Sequence, residues 1–307
     1  MPTPAREYRT APPAVPGLTG SFAGRSLVYA TSMGQALSAP SLPEAVPVEL
    51  SIVVPFYNPG PNLPANIGAV VEALEDTGLS FEVVAVSDGS TDGSAEAIAE
   101  LPVRQLRRIE LPRNMGKGEA LRVGLRQGRG EYLGFIDADG DIPARLLPSF
   151  IDAVRNGSVD IAVASKRHPD SDVVYPLLRR IYSWGYQQLV RLLFDLEVHD
   201  TQTGLKILRR EVLEEVLPET FEKRFAFDLE LLVLAKLHGF DRVAELPVRI
   251  ERRFGSTISP SAVTGIIADT LAIWWRLRVR RQYHRRRQQI HTARTAAAPG
   301  LESRPPR

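Results

Sequence analysis

Cysteine is absent from this chain. That excludes disulfides, thiolate zinc sites, iron–sulfur clusters and cysteine nucleophiles, and leaves oxygen or imidazole donors for any metal. With only five histidines there is little room for a polyhistidine site. An excess of one charge is also missing. Lys and Arg number 38 against 36 Asp and Glu, a net charge of +2, so no global basic field points to nucleic acid. Nor is there an uninterrupted apolar run of about 18 residues, the length a membrane span needs. The best candidate, Ala262 to Trp275, contains Asp269 and runs into arginines. The N-terminal stretch lacks a basic flank followed by an apolar core, so no secretory signal is expected. What remains is 307 residues, 44% hydrophobic and 24% charged, the composition of a soluble or peripheral protein with a substantial core.

Residues 1–47 are rich in Pro, Ala, Ser, Thr and Gly with few periodic apolar positions, and are expected to stay flexible. From Glu49 the texture changes. LSIVVPF reads as a strand, YNPGPN as a turn and Leu63 to Asp76 as a helix. The pattern repeats: strand 81–87, helix to Ala99, strand near 104–111, helix 117–127 and strand 132–136. Beyond Asp137 the spacing predicts helices at 143–155, 175–194, 210–217 and 227–238, with strands at 160–165, 205–208 and 242–250. The segment Thr264–Ile290 reads as one helix, apolar early and arginine-rich late. Strands alternating with helices imply an α/β fold, a mainly parallel Rossmann-like sheet with helices on both faces.

In such sheets ligands bind beyond the carboxyl ends of the strands, and the polar residues fall there. The first strand ends at Pro55-Phe56-Tyr57-Asn58, the second at Ser87-Asp88-Gly89-Ser90. The third runs into Asn114-Met115-Gly116-Lys117-Gly118 and the fourth into Asp137-Ala138-Asp139-Gly140-Asp141. Three aspartates at alternating positions repel one another unless a cation sits among them, and oxygen ligands select Mg²⁺ or Mn²⁺. The competing reading is a solvated turn with Asp141 capping the next helix. Gly116 and Lys117 at a helix start suit phosphate, through backbone N–H groups and an ammonium. Neither a Walker loop nor a dinucleotide-binding glycine fingerprint is present.

SIVVPFYN, VSDGSTDGS, LPRNMGKGEALRVGL and FIDADGD, in this order and spacing, resemble glycosyltransferase family 2 of the GT-A fold, over roughly Glu49 to Arg253. His199-Asp200-Thr201-Gln202-Thr203-Gly204-Leu205-Lys206 and Arg224-Phe225-Ala226-Phe227-Asp228-Leu229-Glu230-Leu231 resemble its branch that transfers a hexose to polyprenyl or dolichyl phosphate. The likeness is nearest to dolichyl-phosphate glucosyltransferases, then to mannose synthases. The resemblance implies an inverting hexosyltransferase that uses a nucleotide sugar, UDP-glucose above GDP-mannose, and Mg²⁺ or Mn²⁺. It assigns Pro55, Tyr57, Asn58, Asp88, Ser90, Asn114, Gly116, Lys117 and Ala138 to the donor, and Asp137 and Asp139 to the metal and diphosphate, with Asp141 a lesser ligand. It departs from the family at Pro59 and Ser87, where acidic residues are usual. Domains are then expected at 48–255 for the GT-A unit and 256–290 for an amphipathic helix, with a disordered tail at 291–307.

A lipid phosphate is already ionised near pH 7, so positioning and charge compensation should dominate the reaction. Lys166, Arg167 and Arg224 are candidate grips for the acceptor phosphate, or else surface ion pairs. Asp200, Gln202 and Asp228 are expected to orient sugar hydroxyls and these cations, Asp228 and Glu230 being alternatively the polar edge of a helix. His199 reads as structural. Ile266, Ile267, Leu271, Trp274 and Trp275, followed by Arg276, Arg278, Arg280, Arg281, Arg285, Arg286 and Arg287, suit a helix lying in a headgroup layer. The alternative is an apolar stripe packed on the domain. Tyr182, Trp184, Tyr186 and Phe194 face the same choice. The expected place of action is the cytoplasmic face of a membrane, with no nucleic-acid partner. Transfer to a saccharide, or an idle nucleotide-sugar-binding scaffold, are the other readings.

Overall fold

A computed structural model of the chain describes residues 47–172, 177–250 and 260–297. The segment 1–46, Tyr175, Arg253 and the tail beyond 297 lie outside the described residues, and with them the expectations of flexibility placed there. The strands are β1 (Leu50–Phe56), β2 (Phe81–Ser87), β3 (Leu106–Glu110), β4 (Tyr132–Ile136), β5 (Ile161–Ser165), β6 (Leu205–Arg209) and β7 (Val243–Pro247). The helices are α1 (Leu63–Glu75), α2 (Ser94–Ala99), α3 (Lys117–Gln127), α4 (Leu147–Arg155), α5 (Leu177–Phe194), α6 (Arg210–Val216), α7 (Phe227–Leu237), α8 (Pro260–Trp274) and α9 (Gln282–Ala297).

The strands form one seven-stranded sheet in the order β3-β2-β1-β4-β6-β5-β7. β1 pairs in parallel with β2 and β4, β2 with β3, and β5 with β7, whereas β6 runs antiparallel to both its neighbours. Continuous β-branched runs explain the central strands: every residue of β1 is buried, as a strand covered on both faces requires. Its alternate side chains feed two separate cores. Val53 joins the one roofed by α3, α7 and the C-terminal helices, and Ile52 and Val54 join the one under α1 and α4.

The reversal of β6 positions the site. The carboxyl ends of β1, β2, β4 and β5 share one edge of the sheet, and the antiparallel β6 brings its preceding loop, 200–204, to that same edge. The Asp137 N–H donates to the Gly204 carbonyl at 2.9 Å, joining the ends of β4 and β6.

The single helix expected over Thr264–Ile290 is broken. α8 passes through a π-turn at Trp275–Val279 to Arg281, whose φ of +50° turns the chain before α9. The kink lets Ile273, Leu277 and Tyr283 all enter the core; a straight helix would carry them progressively off one face. The face away from the domain shows Leu271, Trp275 and Val279, at i, i+4 and i+8, each between 44% and 48% exposed. One stripe therefore packs on the domain and the opposite stripe is open.

Candidate active site

At the carboxyl edge of the sheet lies a cavity of about 640 Å³. Pro55, Tyr57 and Pro59 line it from the end of β1, Asp88 from β2, Asn114, Gly116 and Lys117 from the start of α3, and Asp137, Ala138 and Asp139 from β4. Arg224 and Phe225, from the loop before α7, complete it. Most of the residues expected to hold a donor therefore meet in one place.

Asp88 is buried in the wall, and its two carboxylate oxygens accept the N–H groups of Met115 and Gly116 at 2.7 and 2.9 Å. It thus shapes the loop entering α3 rather than capping α2, whose N-cap is Gly93. Gly116 adopts φ +100° and lies so close to the Lys223 carbonyl that a Cβ there would overlap it, which is why only glycine serves. Asn58 and Ser90 do not line the cavity. Their groups brace the neighbouring loops: the Asn58 N–H donates to Ser90 Oγ, and Asn58 Oδ1 accepts from the Thr91 N–H.

The cation that the structure places beside Asp137 is Lys117. Its Nζ lies 2.6 Å from Asp137 Oδ1 and 3.9 Å from Asp228 Oδ2. Behind it Lys206, fully buried, places Nζ 2.6 Å from Asp228 Oδ1 and 2.9 Å from the Thr203 carbonyl. Charges therefore alternate inward from the cavity: Asp137, Lys117, Asp228, Lys206. Burial works against the Lys117 ammonium, but the Asp137 and Asp228 carboxylates outweigh it and hold its pKa above the ordinary value. Burial pushes the Asp137 carboxyl up; Lys117 pulls it down, and the carboxylates of Asp228 and Asp139 reinforce the rise. Gly204 packs directly on Asp137, where a Cβ would collide with its carboxylate.

Several expectations are corrected. Asp228 is buried behind Lys117 and does not line the cavity; its carboxylate meets the Lys117 and Lys206 ammonium groups instead. Nor is Glu230 a polar helix edge: it is fully buried and accepts the N–H groups of Phe221 and Glu222 and the Tyr283 hydroxyl. Asp141 makes no side-chain cap to the turn that follows; its N–H donates to Asp139 Oδ1 at 3.0 Å. Among the described residues no three of His, Asp or Glu gather in metal-holding geometry. A site for Mg²⁺ or Mn²⁺ reduces to Asp137 and Asp139, two oxygen donors on the cavity wall. That set fits a cation whose other ligands come from substrate phosphates and water.

At the ends of β5 and β6, Asp200 accepts the N–H groups of Lys166 and Gln202 at 3.0 and 3.3 Å and so pins the two strand ends together. The Gln202 amide donates to the Tyr186 hydroxyl at 3.4 Å. Arg167 is held by Ser183 and Gln187 of α5. His199 is structural, bonded to Glu245 and Arg191. Arg224 is exposed, lines the cavity and makes no ion pair among the described residues. Sequence reasoning missed Lys206, Gly204 and Phe225. The signal for Lys206 was available: a lysine inside the apolar strand LKILR needs a buried carboxylate.

A nucleotide-sized cavity at the carboxyl edge of a mostly parallel sheet, with paired aspartates and cations on its wall, defines a group-transferring α/β enzyme. Comparison with known proteins makes the class specific. Residues 51–217 match the model for Glycosyl transferase family 2. The chain is 31% identical to glycosyltransferase AglD of Haloferax volcanii, over 80% of this chain but only 40% of that protein's length. It is 30% identical to dolichyl-phosphate beta-glucosyltransferase of Dictyostelium discoideum over 69% of each chain, and 29% identical to the human enzyme of that name over 76% of each. Among solved structures it is similar in fold to glucosyl-3-phosphoglycerate synthase of Mycobacterium tuberculosis, crystallised with Mn²⁺, UDP and phosphoglyceric acid. The TM-score is 0.59 at 18% identity, covering 74% of this chain and 78% of that one. The chain belongs to glycosyltransferase family 2 and is a glycosyltransferase with a GT-A-type fold.

Proposed function

We propose that this enzyme transfers glucose, with inversion, from UDP-glucose to a polyprenyl phosphate at the cytoplasmic surface of a membrane. The observation that carries the reading is the cavity that gathers Asp88, Lys117, Asp137, Asp139 and Arg224. The similarity to dolichyl-phosphate beta-glucosyltransferases over about three quarters of the chain supports the sugar and the acceptor.

Asp137 and Asp139 would hold Mg²⁺ or Mn²⁺, and when bound that cation neutralises charge developing on the leaving diphosphate. The chain's own residues do the rest. Pro55, Tyr57 and Asp88 shape the nucleoside end of the cavity. The Lys117 ammonium lies where a diphosphate would come, and Asp228 and Lys206 hold it there. Arg224 offers a guanidinium over the cavity, suited to bidentate contact with a phosphate. Lys166 and Arg167 stand on the adjoining edge.

The acceptor phosphate is anionic near pH 7 and attacks without a strong base. The structure favours this over a hydroxyl acceptor, which needs a free carboxylate: Asp228 is sealed behind Lys117, and Asp200 is committed to two backbone N–H groups. Among the described residues no helix is long and apolar enough to cross a membrane. Lipid contact is assigned to the open stripe Leu271, Trp275 and Val279, with exposed Arg278, Arg280, Arg281 and Arg285 beside it, a composition that suits an anionic headgroup layer.

The test is incubation of purified protein with Mg²⁺ or Mn²⁺, polyprenyl phosphate, and UDP-glucose or GDP-mannose in parallel, following labelled sugar into the organic phase. Transfer from UDP-glucose is expected. Transfer from GDP-mannose alone would replace the donor, and nucleotide binding without transfer would replace the acceptor or the activity.

A further inference from the structure

The C-terminal helices reach the cavity through one loop. Residues 220–226, between α6 and α7, are held on one side by the C-terminal arm and on the other by the start of α3. On the arm side, Glu230 accepts the N–H groups of Phe221 and Glu222 at 2.9 and 2.8 Å, and its other oxygen accepts the buried Tyr283 hydroxyl at 2.6 Å. The Phe221 ring meets Tyr283 edge-on at 5.5 Å and lies under the Arg286 guanidinium at 4.4 Å. Arg276 pairs with Glu222. On the α3 side, the Lys223 carbonyl accepts the Glu119 N–H at 3.1 Å, and Gly116 and Gly118 press against Lys223 and Arg224 with no room for a Cβ. At the free end, Arg224 and the 59% exposed Phe225 line the cavity.

We propose that Glu230, Tyr283 and Arg276 are positioning residues: through the 220–226 loop, the C-terminal arm sets Arg224 and Phe225 over the donor cavity and fixes the Gly116-Lys117-Gly118 entry to α3. None of the three touches the cavity. A carboxylate buried in a helix's first turn, satisfied by two loop amides and one tyrosine from the arm, joins the two so that neither shifts without stranding a buried polar group. The inference rests on the reading of this cavity as the donor site.

The test uses full-length protein carrying Tyr283→Phe, Arg276→Met or Arg276→Lys, with His284→Ala, an exposed neighbour, as control. Amide exchange at Phe221 and Glu222 reports the loop without any substrate. Calorimetric titration with UDP and Mn²⁺ reports the cavity. Tyr283→Phe and Arg276→Met are expected to speed exchange at both amides and weaken UDP binding about tenfold, as expected when the competent loop falls to about a tenth of the population. Arg276→Lys should restore most of the binding, and His284→Ala should change nothing. A purely structural role would instead lower the melting temperature and leave the affinity of the folded protein untouched. Unchanged exchange, or faster exchange with wild-type UDP affinity, overturns the proposal. Wild-type protein that binds no UDP overturns the donor reading instead, and exchange alone then decides whether the arm holds the loop.

Discussion

Replacing Asp228 by asparagine removes the negative charge between two lysines while keeping nearly the same shape. Lys206 has no exposed surface, and among the described residues its ammonium meets Asp228 Oδ1 at 2.6 Å, the Thr203 carbonyl at 2.9 Å and the face of the Phe135 ring at 5.3 Å. An amide in place of the carboxylate leaves its ammonium buried against neutral oxygens. Breaking one half of a buried pair costs about 3–5 kcal/mol, more than the pair itself contributes, because the remaining charge has lost its water. For a domain of this size that is a fall of about 6–20 °C in melting temperature, read by urea and thermal unfolding under circular dichroism. The double variant Asp228→Asn/Lys206→Met should recover much of the loss, with a coupling of about 1–3 kcal/mol. Asp228→Asn should also leave Lys117 on Asp137 alone and so weaken binding of Mn²⁺ with UDP. A loss below about 1 kcal/mol, or additive single effects, would show that the charges do not act as a chain.

Gly204→Ala places a methyl against the Asp137 carboxylate, and overpacking of this kind costs about 1–3 kcal/mol; titration should show weakened UDP binding in protein that still folds. Asp139→Asn should abolish the response of transfer to Mg²⁺ or Mn²⁺, and unchanged metal-dependent turnover would remove Asp139 from the metal set. Burial alone raises the Glu82 carboxyl, but Arg107, Ser51 and Arg129 overrule it and bring it from 4.5 down to about 2. Its contribution of about 3 kcal/mol is therefore present above pH about 4.5 and fades as pH falls toward 2, so Glu82→Gln should flatten urea stability across that window. Trp275→Glu with Leu271→Glu should reduce co-sedimentation with anionic vesicles; sedimentation equal to wild type would place lipid contact elsewhere.

Much of the fold was legible in the sequence. β1, β2, β4 and α3 begin and end where apolar runs meet turn residues, because a strand buried on both faces must be continuously apolar and its neighbours must supply the turn. The wall of the cavity was legible for the same reason: Pro55, Asp88, Lys117, Asp137 and Asp139 each sit within a few residues of a strand's carboxyl end or a helix start, so local position alone brings them together. The direction of β6 was not legible. A five-residue strand has the same pattern in either direction, and only its neighbours make it antiparallel and bring Gly204 onto Asp137. Nor could periodicity divide the last helix, since the break at Arg281 follows from burying Tyr283 against a carboxylate 53 positions earlier in the chain. The burial of Asp228 and Glu230 lay equally out of reach: both stand in the first turn of α7, where a carboxylate aimed at a ligand and the polar edge of a helix read alike. The sequence determined which groups were available at the cavity. The tertiary structure decided which faced the cavity and which were buried behind it, because a buried charge is defined by partners that lie far away along the chain.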